Sequence, residues 1–198
     1  MKLFYIITIL FTIAISCSIK EECKSYKIKD TIWCFKIPKE YELRTDNFEQ
    51  TRKLGAEYIE KDTTVEIVTD DKVLVSLGKS EDKSMNMFMA SVSKSNTNIE
   101  KYTLKGYAHE LKDFFLTSPS IPDSNTIVQI GIEEFIIDNI MFYNIKKEVE
   151  YTKEQYSYVS ELIVSEIDGL EINFVVMTNN EKDRNNFLNA LRSSKFNK

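Results

Sequence analysis

Between positions 128 and 176, apolar residues recur at every second position for about fifty residues. Val128, Ile130 and Ile132 form one run, Met141, Tyr143, Ile145, Val149 and Tyr151 a second, and Leu170, Ile172, Phe174 and Val176 a third. A side-chain period of two places alternate residues on opposite faces of a strand and cannot present a helical stripe, so the C-terminal half must be sheet. Asp168-Gly169 stands before the third run and signals a type I′ hairpin turn, in which both central residues hold positive φ. The pattern implies an antiparallel meander with one buried face.

Helical signals flank this meander. Asp46 and Glu49 have capping-box spacing and open an expected helix over 46–61, with Phe48, Gly55, Tyr58 and Ile59 near one face. Leu104, Ala108, Leu111 and Phe115 repeat at i, i+4, i+7 and i+11, which predicts a helix over 99–115. Asn180 and Asp183 cap a last helix that carries Phe187, Ala190 and Leu191. Shorter strands are expected at 31–37, which Pro38 terminates, and at 64–68, 72–77 and 85–92, with a turn at Thr69-Asp70-Asp71. Residues 117–124 hold two prolines and read as a loop. The fold class is therefore α+β, an antiparallel sheet covered by helices on both faces, in a single domain over 31–198.

Residues 1–17, MKLFYIITILFTIAISC, set the address. A single early lysine precedes an apolar run of about thirteen residues, shorter than a bilayer span, in the layout of a secretory leader. Its end, Ala14-Ile15-Ser16-Cys17, resembles the lipobox of bacterial lipoproteins. The resemblance implies that 1–16 is a signal peptide removed by the processing peptidase, and that Cys17 becomes the acylated first residue. Residues 17–30 are polar and read as a lipidated tether. Ser18-Ile19-Lys20-Glu21-Glu22 resembles the surface-export signal of Bacteroidetes lipoproteins, which implies an outer-membrane location. Export also permits a disulfide between Cys23 and Cys34; their spacing alone admits either a bridge or two unpaired thiols.

The formal net charge is −5, and loss of Lys2 with the leader makes it one unit more negative. Nucleic acid is excluded as an expected partner, because phosphate binding draws on clustered Lys and Arg. Five glycines, each isolated, give neither a phosphate-cradling loop nor a nucleophile elbow.

The layout resembles the PsbP-like α/β/α sandwich. The resemblance is carried by Phe35-Lys36-Ile37-Pro38 with Tyr41, by the Asp168-Gly169 turn, and by a closing helix from Phe187 through Leu191, Arg192 and Lys195 to Phe196. It implies a fold shared by photosystem II extrinsic subunits, a nuclear-transport factor and many small bacterial lipoproteins. Members of this fold also serve type VI secretion effectors as chaperones. No functional residue transfers with it.

Several residues invite chemical readings. His109 is the single histidine, which excludes a His-cluster metal site, and on its helix it points away from the apolar stripe. Met85, Met87 and Met89 could offer soft ligands to copper, or fill gaps in the core. Glu133, Glu134, Glu148, Glu150 and Glu161 lie on neighbouring expected strands, where a facing pair would suit hydrolysis and an outward set is ordinary surface. Asp62, Asp70, Asp71, Glu81 and Asp82 lack the spacing of a calcium loop. Tyr151, Tyr156 and Tyr158 fall around one expected hairpin and form a candidate protein-contact patch. The expectation is a membrane-anchored envelope lipoprotein that is a binding module, not an enzyme, with no cofactor and a protein partner in an immunity, assembly or chaperone role. An envelope hydrolase with paired carboxylates and methionine-based copper handling are the alternatives.

Overall fold

The computed structural model describes residues 23–44, 72–79, 86–94, 103–117, 125–153 and 155–198. The leader, Cys17, the expected helix over 46–61, the strand over 64–68, the 118–124 part of the loop, Met85 and the acidic residues Asp62, Asp70, Asp71, Glu81 and Asp82 lie outside them.

The described chain forms strands β1 (Lys24–Ile28), β2 (Thr31–Phe35), β3 (Glu42–Leu43), β4 (Lys72–Gly78) and β5 (Met87–Lys94), then helix α1 (Leu104–Thr117). There follow β6 (Thr126–Ile137), β7 (Ile140–Tyr151), β8 (Tyr156–Ile167), β9 (Leu170–Thr178), helix α2 (Glu181–Arg192) and β10 (Lys195–Asn197). Seven strands make one antiparallel sheet in the order β3-β4-β5-β9-β8-β7-β6, and β1-β2-β10 make a second. The architecture is α+β, dominated by antiparallel sheet, with two helices among the described residues.

Turn chemistry pins the register. Asp168 (φ 53°) and Gly169 (φ 73°) both hold positive φ, and so do Asp138 (φ 49°) and Asn139 (φ 66°) between β6 and β7. Such turns match the right-handed twist of the strands they join. The Asp138 carboxylate also accepts from the Phe196 backbone N–H at 2.7 Å, which fastens the small sheet to the large one.

The expectation of a single buried face needs correction. Ile132 pairs with Ile145, Tyr143 with Val164, and Val164 with Asn173. One face of the large sheet therefore presents Ile132, Ile145, Tyr143 and Val164, which pack with Ala108, Leu104 and Leu111 of α1. Phe142, Ile163, Ile172, Phe174 and Val176 point to the other face and pack with Phe187 and Leu191 of α2 and with Trp33 and Phe35 of β2. The apolar runs of the meander thus feed two separate clusters. Period alone does not say whether successive runs share a face; register does.

Two boundaries also differ from expectation. The polar stretch read as a tether contains β1, which pairs with β2 from Lys24↔Phe35 to Ile28↔Thr31. Ile28 is buried in the larger core, half-buried Tyr26 packs its ring 5.2 Å from Trp33, and Lys24, Ser25 and Lys27 are exposed, so two inward residues are enough to recruit an otherwise polar strand. Lys195 and Phe196 belong to β10, not to the last helix. The Ser193 N–H bonds back to the Asn189 carbonyl at 3.0 Å, the helix ends there, and Phe196 stacks on Trp33 opposite it in β2.

Cys23 and Cys34 are joined by a disulfide, with Cα atoms 5.4 Å apart across eleven positions of sequence. It ties the start of β1 to β2, whose neighbour Phe35 is fully buried. In the chain-entropy model a loop of this size stabilises by about 3 kcal/mol. Thermal melts with and without reductant are expected to differ by that amount, and coincident melts would contradict a stabilising bridge.

Candidate functional site

The β7–β8 hairpin brings three tyrosines together. Tyr151 and Tyr156 are directly paired across the strands, and Tyr158 lies two residues beyond Tyr156 on the same face. Their ring centroids are 6.2 Å (Tyr151–Tyr156), 6.3 Å (Tyr151–Tyr158) and 6.3 Å (Tyr156–Tyr158) apart, a closed triangle of contacts. Tyr156 is 37% exposed and the other two are half-buried. Burial, followed by the Tyr151 and Tyr156 hydroxyls nearby, pushes the Tyr158 pKa upward. The hairpin tip is held in place: Asn125 O accepts from both the Thr152 N–H (2.9 Å) and the Thr152 hydroxyl (2.8 Å). A cluster of mutually packed, amphipathic rings loses little side-chain entropy on contact with another surface.

The opposite face at the same end of the sheet holds a groove of about 260 Å³. Strands β7 to β9 supply Lys146, Glu148, Ser157 and Thr178, and the first turn of α2 supplies Glu181 and Arg184. Beneath it lies Glu161, fully buried in β8. Arg184 grips that carboxylate with two donors, Nε to Oε2 at 3.1 Å and Nη2 to Oε1 at 2.7 Å, and Asn144 Nδ2 adds a third at 2.9 Å. The Glu161 hydrogen bond raises the Arg184 pKa further above its ordinary value. Lys146 in turn is paired with Glu148.

Next to this groove, the start of α2 is anchored through Asp183, 1% exposed. Its backbone N–H is capped by Asn180 Oδ1 at 2.8 Å. Its carboxylate accepts from Lys79 Nζ (2.7 Å), from Asn180 Nδ2 (3.0 Å) and from the Tyr41 hydroxyl. Burial works against its ionisation, but the Lys79, Tyr41 and Asn180 donors outweigh burial and hold the pKa below the usual carboxylate value. Burial and the Asp183 carboxylate push the Tyr41 phenol well above its ordinary pKa. A carboxylate whose folded pKa is depressed contributes stability above its unfolded pKa and loses it as pH falls through the folded value. Asp183→Asn is therefore expected to lower stability at neutral pH and to flatten its fall below about pH 4, the unfolded Asp value. Denaturant midpoints against pH check this, and parallel curves for the two proteins would contradict it.

The remaining sequence candidates are dispersed. Glu134 pairs with Lys105 of α1 (2.7 Å) on one face, while Glu133 meets Arg192 of α2 (3.5 Å) on the other. Glu150 is exposed near the hairpin tip, and Glu161 is consumed by Arg184. His109 is exposed on α1. Met87 and Met89 occupy the α1 face of β5, with Met177 paired to Met87 across β9. Among the described residues no group of three His, Cys, Asp or Glu side chains is placed to hold a metal ion, and no helix is long and apolar enough to cross a membrane. The groove and the ties of Asp183 to Lys79 and Tyr41 escaped sequence reading, which found Asp183 only as part of a helix cap. The signal for the first was Glu161, a lone carboxylate in the otherwise apolar row Val159, Glu161, Ile163.

No family model matches this chain. No curated protein matches it either. Among solved structures, it is similar to the solution structure of a cyanobacterial PsbP, CyanoP, from Synechocystis sp. PCC 6803, at 11% identity and a TM-score of 0.48, over 87% of this chain and 88% of that one.

Proposed function

We propose that this chain is an envelope lipoprotein, held to a membrane through acylated Cys17, whose domain is a non-catalytic module that binds a protein partner. The address rests on the leader and the lipobox-like Ala14-Ile15-Ser16-Cys17. The domain is read as a PsbP-like α/β/α sandwich, supported by α1 and α2 lying against opposite faces of one antiparallel sheet. The observation that carries the binding reading is the tyrosine triangle at the β7–β8 tip, three mutually contacting rings on a hairpin pinned to Asn125. Tyrosines of this kind supply large contact area with a polar end that finds a hydrogen-bond partner.

Fractionation tests the address: Cys17→Ala is expected to move the protein from the membrane to the soluble fraction and to abolish incorporation of labelled palmitate. Retention in the membrane without label would overturn the lipid anchor. The contact itself is tested by photo-crosslinking from position 156, where a discrete, tyrosine-dependent adduct is expected.

A further inference from the structure

The groove beside α2 opens on the other face of the sheet from the tyrosine triangle, though Tyr158 borders it, and it is built differently. Its cations are neutralised in advance: Lys146 is matched by Glu148, and Arg184 by the buried Glu161. An anion would find no uncompensated positive field there, since a paired cation has already spent most of its potential on its neighbour. The remaining lining is rich in hydroxyl and amide groups, from Ser157, Thr178 and Asn179. Thr178 is 1% exposed, shares the inward face of β9 with Phe174 and Val176, and its Oγ1 has no hydrogen-bond partner among the described residues. A buried hydroxyl left unpaired is unfavourable, and the deficit is recovered when a ligand or water supplies the partner. At about 260 Å³ the groove is smaller than the range typical of drug-sized ligands, and it fits one small ring.

The geometry points to a binding site for a neutral polyhydroxylated ligand of monosaccharide size. Vicinal hydroxyls both donate and accept. They can therefore donate to the Glu148 and Glu181 carboxylates while accepting from Ser157, Thr178 and the free donors of Arg184. A phosphate, which only accepts at neutral pH apart from any residual proton, would face two carboxylates. A free amino acid would have to displace an existing ion pair to seat its carboxylate, since both lining cations are already matched.

Ligand-observed saturation-transfer NMR on the purified full chain tests this site. D-glucose, D-mannose and N-acetyl-D-glucosamine serve as neutral probes, with glycine and inorganic phosphate as charged ones. At least one neutral sugar is expected to bind and the charged probes are not. Thr178→Val should weaken that binding by about tenfold, the loss of one hydrogen bond, and Thr178→Ser should restore it. Ser157→Ala, an exposed strand-end change that should not endanger folding, is expected to weaken it as well, and Tyr156→Ala to leave it unchanged. Binding by none of the sugars would overturn the proposal. So would binding of glycine or phosphate in their place, or sugar affinity indifferent to both Thr178→Val and Ser157→Ala.

Discussion

Arg184→Met is expected to destabilise the domain by roughly 3 to 5 kcal/mol, among the largest effects of any single surface-accessible substitution. The reason is Glu161. Its side chain is fully buried, while that of Arg184 remains 20% exposed, so removing the cation strands a carboxylate beneath α2 with only the Asn144 amide for a partner. An isolated buried charge costs far more than the ion pair it came from ever contributed. The double change Glu161→Leu with Arg184→Met removes both charges and is expected to recover most of the loss. For a domain of this size the single variant should melt about 10 °C lower and the double variant within a few degrees of the parent. A single variant within about 1 kcal/mol of the parent would show that α2 does not seal the pair.

Phe174→Ala carries the second large effect. Phe174 is fully buried at the centre of the aromatic core, with its ring 5.2 Å from Trp33, 6.0 Å from Phe88 and 6.0 Å from Phe142. It is the point where the large sheet meets both the small sheet, through Trp33, and the central strands. Truncating a buried phenylalanine loses its transfer free energy and leaves a cavity, at a cost of about 3 to 5 kcal/mol. Trp33 is the chain's single tryptophan and is fully buried, so its fluorescence reports the damage directly. The variant's emission is expected to shift to the red in buffer without denaturant. An unchanged spectrum with unchanged stability would mean that the two sheets are not joined at this point.

Strands were legible where period two ran unbroken, as in Leu170, Ile172, Phe174 and Val176. The hairpin at Asp168-Gly169 was legible because only residues that tolerate positive φ suit it. The same chemistry stands at Asp138-Asn139, where the structure places an equivalent turn. Which face each strand turned to the core was not legible, since that depends on pairing between residues far apart in sequence. β1 was hidden because it turns only two residues inward, Tyr26 and Ile28, among exposed polar ones. The tyrosine triangle could be anticipated from spacing around a hairpin. The groove could not, because its wall residues come from β7, β8, β9 and α2, and only folding assembles them.

The central claim, that the tyrosine tip is where this protein meets its partner, is tested most directly by photo-crosslinking in intact cells. A crosslinking residue replaces Tyr156, and the same residue at exposed Lys153, three positions away, serves as control. The account predicts one discrete adduct from position 156, absent from position 153 and lost when Tyr151→Ser and Tyr158→Ser are added. No adduct from position 156, or equal adducts from both positions, would contradict it.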